Sequence, residues 1–331
     1  MFSKNEITTP VLFLIYNRPS LTQKVFNVIR DVQPSRLFIA ADGPRPDKPD
    51  DITKCRETRQ IVKQIDWDCE VETLFRESNL GCRIAISSAI DWFFENVEEG
   101  IILEDDCLPS RSFFWFCQEL LGKYRGDESI MQINGNYYLS DMRHFDESYY
   151  FSTLNSCWGW ATWKSRWRHF DDSMKGYSQF KEEEGIESYF NNKEISDWMI
   201  SYLDEAIRPS CGIWSTQWAY AIIKQNGLSI SPTANLVQNI GFNENATSGY
   251  HESFSMYTAF QAEEMDEIVH PFQVFHDADA DALHFASMIK TTDPRCIDTH
   301  GGSFMSVVKR SVHQAIKTIL GQLYRNRMKG N

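Results

Sequence analysis

An α/β fold on a mostly parallel sheet is predicted by three features of this 331-residue sequence. Apolar runs of strand length alternate with stretches of helical periodicity through the first half, the pattern of β-α-β units. The run Val11-Leu12-Phe13-Leu14-Ile15 has no polar face, as a strand covered on both sides of a sheet requires. Hydrophobic residues at 42% and charged residues at 24% are ordinary globular proportions, and no run of about 18 apolar residues is available to span a bilayer.

The elements follow in order. The first strand, 11–15, ends at Tyr16-Asn17-Arg18-Pro19, and a helix begins near Ser20 with Leu21, Val25 and Ile29 on one face. Leu37 to Ala41 forms a second strand running into Asp42-Gly43-Pro44. The proline-rich stretch 44–49 reads as an exposed loop before a helix over about 51–65. The alternation in Cys69 to Phe75 predicts a third strand with one wetter face, closed by Arg76 and the turn Asn79-Leu80-Gly81. Ile86, Ile90, Phe93, Phe94 and Val97 mark a long amphipathic helix. Gly100 to Leu103 is a fourth strand, ending in Glu104-Asp105-Asp106. Three adjacent carboxylates cannot all enter a solvent-free core. A helix over 110–124 and a fifth strand, Ser129 to Ile133, complete this half.

From about residue 150 the composition changes: seven of the ten tryptophans fall between Trp158 and Trp218, with few periodic segments between them. The organisation expected is an α/β half over 1–150, a second half over 151–300, and a C-terminal segment over 301–331. In that segment Phe304, Val308, Val312, Ile316, Leu320 and Leu323 line one helical stripe beside Lys309, Arg310 and Lys317. Such a basic amphipathic helix could lie on an anionic membrane or pack on the acidic body.

The net charge of −13 repels a phosphate backbone and argues against general nucleic-acid binding. Eight scattered cysteines with no C-x-x-C pair read as reduced, mostly buried thiols. With no apolar leader before Pro10, a cytoplasmic location is expected. The tripeptide Asn245-Ala246-Thr247 then matches a glycosylation pattern only by accident.

Ligands of open α/β sheets gather at the carboxyl ends of the strands. Four such ends carry polar groups here: Asn17/Arg18, Asp42, Arg76 and Glu104-Asp105-Asp106. One charged residue at a strand end is ordinarily just solvated, but four converging ends suggest a site. Clustered carboxylates need neutralising, and hard oxygen donors suit Mg²⁺ or Mn²⁺, whose shell is usually completed by water and substrate phosphates. A nucleotide diphosphate is the inferred ligand. Neither G-x-x-x-x-G-K-[ST] nor G-x-G-x-x-G occurs, so neither an ordinary P-loop NTPase nor a Rossmann dehydrogenase is supported.

The stretches Pro10-Val11-Leu12 to Pro19, Asp42-Gly43, Asn79-Leu80-Gly81, Ile101 to Asp106, Trp158-Gly159-Trp160 and Asn235 to Gly241 resemble the bacterial GT-A nucleotide-sugar glycosyltransferases. These are in turn similar to the N-acetylglucosaminyltransferase I group. The resemblance covers roughly residues 10–250. It implies a GT-A Rossmann-like mixed sheet flanked by helices, with a tryptophan-rich acceptor side, and makes 1–150 the nucleotide-sugar-binding half and 151–300 the acceptor-binding and catalytic half. It further implies that Asp42 accepts from uracil, Arg18 sits at the nucleotide, Glu104 bonds the donor sugar, Asp105 bonds the ribose and Asp106 ligates Mn²⁺ or Mg²⁺. Asn79, Gly81 and Trp160 join the donor-binding set; Trp158, Trp160 and Trp163 could offer flat faces to a sugar, and Gly159 a close approach to ligand.

The implied reaction is inverting transfer of a sugar, with UDP as the expected leaving group, to a glycan or lipid-linked hydroxyl, which needs a carboxylate base. The family places an aspartate after the first tryptophan of a Trp-Asp-x-x-Trp-like segment, where this chain reads Trp214-Ser215-Thr216-Gln217-Trp218. Ser215 is no comparable base. Asp204, Glu205 or Glu244 would have to substitute, and Glu244 is preferred because it follows the Asn239-Ile240-Gly241 turn. Two alternatives stay open: a degenerate protein that binds the donor without turnover, and a sugar nucleotidyltransferase, although its glycine-rich phosphate loop is missing. His270 and His276 with Asp277, Asp279 and Asp281 read as a solvated loop or helix start rather than a second metal site.

Overall fold

In strand β1 (Val11–Ile15) successive side chains point to opposite faces of the sheet, and both faces are covered. Val11, Phe13 and Ile15 pack with Val25, Phe26 and Ile29 of helix α1 (Pro19–Val32). Leu12 and Leu14 lie in a second core. The computed structural model describes residues 6–139, 142–208, 211–241 and 260–291. Glu244, the 245–247 tripeptide and the basic stretch 304–324 lie outside the described residues.

The chain continues through β2 (Arg36–Ala41), α2 (Pro49–Gln60), β3 (Glu70–Phe75), α3 (Cys82–Asn96), β4 (Glu99–Glu104), β5 (Cys107–Pro109), α4 (Arg111–Tyr124) and β6 (Ile130–Asn134). Next come β7 (Tyr149–Ser152), β8 (Trp160–Trp163), α5 (Lys164–Trp167), α6 (Tyr177–Glu182), α7 (Gly185–Phe190), α8 (Lys193–Ala206) and α9 (Ser215–Lys224). The last elements are β9 (Leu228–Pro232), β10 (Val237–Asn239) and α10 (Ala278–Thr291). An eight-stranded sheet runs β3-β2-β1-β4-β8-β6-β9-β7, and β10 pairs with β5 in a separate ribbon. Strands β3, β2, β1 and β4 are mutually parallel; β8 reverses direction, β6 and β9 restore it, and β7 reverses again. This is the mixed α/β sheet flanked by helices that the sequence predicts.

Helices α1 and α4 cover one face, with Phe113, Phe114, Phe116, Leu120 and Leu121 of α4 in the core. Ala89, Ile90 and Phe93 of α3 cover the other, and there Trp160, Trp167, Trp214 and Trp218 extend the core. Residue 150 marks no gap in the sheet, because β8 pairs with both β4 and β6, and β9 pairs with β6.

Three expectations change in detail. The helix expected over 51–65 ends at Gln60 and tightens to a 3₁₀ turn over Ile61–Gln64 as buried Ile61 meets the core. Strand β3 is an edge strand pairing only with β2, so Val71 and Phe75 are partly exposed and neither face is dry. The cysteines outside residue 296 are free thiols, but only Cys55, Cys107 and Cys117 are buried, and Cys82 is exposed.

Candidate functional site

Because β3, β2, β1 and β4 are adjacent and parallel, their carboxyl ends lie side by side. Leu14 of β1 registers against Glu104, the last residue of β4, so the β1–α1 loop and the acidic block share one edge. There Arg18, at the N-cap of α1, spans two carboxylates. Its Nη2 donates to Asp105, and its Nη1 donates to Asp106 Oδ2 at 2.7 Å.

The three carboxylates are held differently. Asp105 is 2% exposed and accepts also from the Tyr16 N–H at 3.2 Å and Thr22 Oγ1 at 3.4 Å. Asp106 turns into the β4–β5 junction, where its carbonyl accepts the Ile240 N–H at 2.8 Å. Gly241 packs so closely against it that a Cβ there would stand 2.1 Å from Asp106 Oδ2. The Asn239-Ile240-Gly241 turn thus reaches the acidic block through the β10–β5 ribbon. Glu104 is half-buried. Burial raises its pKa, the charge of Asp106 adds to the rise, and Arg18 opposes it. Burial also raises Asp105, against the pull of Arg18. On Arg18 burial works against the charge, but the fields of Asp105 and Asp106 outweigh it and hold the guanidinium firmly protonated.

Asp42, at the tip of β2, is saturated. Its Oδ1 accepts from the backbone N–H groups of Gly43 at 2.8 Å and Leu80 at 2.9 Å. Its Oδ2 accepts from Asn79 Nδ2 at 2.8 Å and the Gly81 N–H at 3.1 Å. Asp42, Asn79 and Gly81 therefore come together as one clasp joining the β2 and β3 tips, with Gly81 as the N-cap of α3. Arg76 turns instead to Ser88, its Nη2 donating to Oγ at 2.7 Å.

Beside this clasp lies a second cluster that the sequence reading missed. Asp51 of α2, 2% exposed, accepts from Arg45 Nε at 2.6 Å, Tyr16 Oη at 2.8 Å and Asn17 Nδ2 at 2.8 Å. The hydrogen bond from Arg45 holds its carboxyl well below the usual range, even against burial. The loop 44–49 is exposed over residues 46–49, as its prolines predict, and is tied down through Arg45. Cys82, the first residue of α3, was also missed. Although the residue has exposed surface, crowding of protein around its thiol and the field of Glu104 push its pKa up to about 12, with Arg18, Asp106 and Asp42 also within electrostatic reach. Its position directly after Asn79-Leu80-Gly81 was the available signal.

Two expectations are corrected. Trp160 and Trp163 are each 1% exposed. The Trp160 ring stacks on Trp214 at 5.8 Å and is wedged against Trp167 and Trp218, so it is core and offers no face to a sugar. Gly159 is small because a Cβ would strike the Val237 side chain at 2.7 Å, an internal contact rather than an approach to ligand. Trp158 is only partly buried and meets Tyr138 edge-on at 6.4 Å.

Among the alternative bases, Asp204 is held by Lys181 at 2.7 Å and Tyr177 Oη at 2.7 Å, and Glu205 pairs with Arg208 at 2.6 Å. Ser215 is the first residue of α9. His270 pairs with Tyr149 of β7 and Asp277 with Arg143, while His276 pairs within its own segment with Asp281, whose carboxylate also accepts from Ser152 at the end of β7.

No group of three or more His, Cys, Asp or Glu converges to hold a metal among the described residues. The donors present at the block are carboxylate oxygens, with one Asp106 oxygen turned to Arg18 and the other, among the described residues, near only the Cys107 thiol at 3.7 Å. That set fits a hard divalent ion with one or two protein ligands and a shell completed by substrate. No helix among the described residues is long and apolar enough to cross a membrane.

No family model and no curated protein matches the chain. Among solved structures it is similar to residues 1–349 of TarS from S. aureus, at 11% identity, TM-score 0.33 and 47% coverage of each chain. HddC from Yersinia pseudotuberculosis aligns at 9% identity and TM-score 0.30, over 48% of this chain and 78% of that one. A 4-diphosphocytidyl-2C-methyl-D-erythritol synthase from Anaerococcus prevotii aligns at 10% identity and TM-score 0.26, over 47% and 72%. The chain thus spans about half the length of the TarS structure. Overlaps this shallow leave the meaning of the site to its own geometry.

Proposed function

We propose that this chain is a GT-A-type glycosyltransferase that moves a sugar, with inversion, from a nucleotide diphosphate sugar with UDP as its nucleotide to a glycan or lipid-linked hydroxyl. The observation that carries this reading is the tip of β4. Glu104, a half-buried carboxylate with raised proton affinity, stands beside Asp106 and opposite the single guanidinium of Arg18. A structural carboxylate would be given donors, as Asp51 is. A site of this charge balance suits a ligand that brings a cation, hydroxyl donors and a diphosphate together.

In this reading Asp106 is the protein ligand of Mn²⁺ or Mg²⁺, which when bound supplies Lewis-acid stabilisation of the departing diphosphate. Glu104 bonds a donor-sugar hydroxyl, Asp105 bonds the ribose, and Arg18 engages the diphosphate as a fork matched to phosphate oxygens. Contact between Asp42 and the base would require its clasp with residues 79–81 to yield one acceptor site. The acceptor hydroxyl attacks the anomeric carbon as the carbon–oxygen bond to the diphosphate breaks, and its proton passes to a carboxylate base. Glu244 is proposed for that role. It follows Gly241 by three residues, and three extended residues reach at most roughly 11 Å from the point where Gly241 touches Asp106.

Ser215 at the position of the family aspartate favours a second reading, a protein that binds the donor without turning it over. A thermal-shift panel of nucleotide sugars with and without Mn²⁺, followed by assays of donor hydrolysis and transfer, separates the two. Metal-dependent stabilisation by a UDP-sugar, lowered at least ~100-fold in apparent affinity by Asp106→Ala, supports the site. Stabilisation without turnover on any acceptor supports the binding protein. No response to any nucleotide sugar, or an unchanged response in the variant, overturns the assignment.

A further inference from the structure

We propose that Arg18 is the resident counter-cation of the Asp105–Asp106 pair, and that a divalent ion enters only as a diphosphate draws the guanidinium away. The inference rests on the reading above and deepens it. One guanidinium serves two adjacent carboxylates, through Nη2 to Asp105 and through Nη1 to Asp106. While it stays, an arriving dication meets a fixed positive charge beside its ligand.

The surroundings decide which partner moves. Asp106 cannot draw back towards Gly241, which backs its Oδ2 so tightly that even a methyl group would collide there. Asp105 keeps the Tyr16 N–H at 3.2 Å when Arg18 leaves, so it holds its place. Among the described residues Asp106 has no comparable second donor at Oδ2, and its other oxygen meets only the weak donor of Cys107. Departure of Arg18 therefore frees Asp106 and leaves Asp105 anchored. A guanidinium fork accepts a carboxylate or a phosphate in the same bidentate manner, which makes a diphosphate the natural competitor for Arg18. Ion and diphosphate then bind with positive coupling, each raising the affinity of the other by the same factor.

The test is calorimetric titration of Mn²⁺ into the full chain, alone and with saturating UDP, for the unaltered protein, Arg18→Met and Arg18→Lys. The unaltered protein is expected to bind Mn²⁺ alone about tenfold or more weakly than with UDP. Arg18→Met is expected to bind Mn²⁺ alone about tenfold more tightly than the unaltered protein and to lose much of the coupling to UDP. Arg18→Lys, which keeps the charge without the fork, should fall between, and it carries the comparison if the methionine variant does not fold. Equal or weaker binding of Mn²⁺ alone by the variants overturns the inference while leaving the transferase reading intact. Equal affinity of the unaltered protein for Mn²⁺ with and without UDP overturns it as well, with no variant needed. Absence of Mn²⁺ binding under every condition overturns both.

Discussion

Two carboxylate clusters sit at the carboxyl edge of the sheet, beyond β2 and β4 on either side of β1, and are treated in opposite ways. Around Asp42 and Asp51 the donors match the acceptors: Asp51 has the Arg45 fork, a tyrosine hydroxyl and an asparagine amide, and Asp42 has backbone N–H groups and Asn79. Around Glu104, Asp105 and Asp106 one guanidinium faces three acids. Proton affinity separates the two: the Arg45 hydrogen bond drives Asp51 below its ordinary range, whereas burial first and then the charge of Asp106 drive Glu104 above it. A satisfied cluster fixes loops, whereas an under-neutralised one stores an affinity for positive charge.

His284 on α10 offers the largest measurable contrast with the satisfied cluster. It is buried, packs 5.1 Å from the Tyr138 ring, and has no hydrogen-bond partner at either ring nitrogen. Burial pushes its pKa down to about 4, with Asp281 opposing. The folded state thus refuses a proton that the unfolded chain accepts near pH 6.5. Stability is present in full above about pH 6.5 and is lost as pH falls from there through 4, by up to about 3 kcal/mol. Urea denaturation at pH 7.5 and 4.5 should show His284→Phe losing less stability over that interval than the unaltered protein. Parallel losses would mean that His284 is solvated or paired.

Asp51→Asn removes the charge that Arg45 and Tyr16 address and leaves their donors poorly matched. A loss of about 2 kcal/mol in urea denaturation is expected. A change below about 0.5 kcal/mol would show that this cluster is no better anchored than an exposed ion pair. Glu104→Gln carries the smallest expected effect on folding, since it deletes a burdened charge and breaks no side-chain hydrogen bond among the described residues. Stability at pH 7 should stay within about 1 kcal/mol of the unaltered protein or rise, measured in the same way. A large loss would mean that Glu104 is a structural carboxylate like Asp51.

Legibility in the sequence followed the locality of the forces. Strand β1 and its neighbours read directly as unbroken apolar runs, because a strand covered by α1 and α4 on one face and α3 on the other tolerates no polar position. Strands β7, β8 and β9 did not. Trp160-Ala161-Thr162-Trp163 is buried throughout, so it shows neither alternation nor the length of a core helix, and its partners β4 and β6 come from distant segments. The same limit hid Asp51, whose donors Tyr16 and Asn17 lie more than thirty residues away.

The sequence by itself determined the α/β class, the positions of the first four strands and the placement of Arg18, Asp42 and the 104–106 acids at strand ends, because hydrophobic periodicity and chain order are local properties. Only the tertiary structure decided that Asp42 is consumed by the 79–81 loop, that Trp160 is core, and that Arg18 rather than solvent faces Asp105 and Asp106. Partner choice among polar groups depends on which strand tips the sheet brings together. That order, β3-β2-β1-β4, is set by burial across the whole domain.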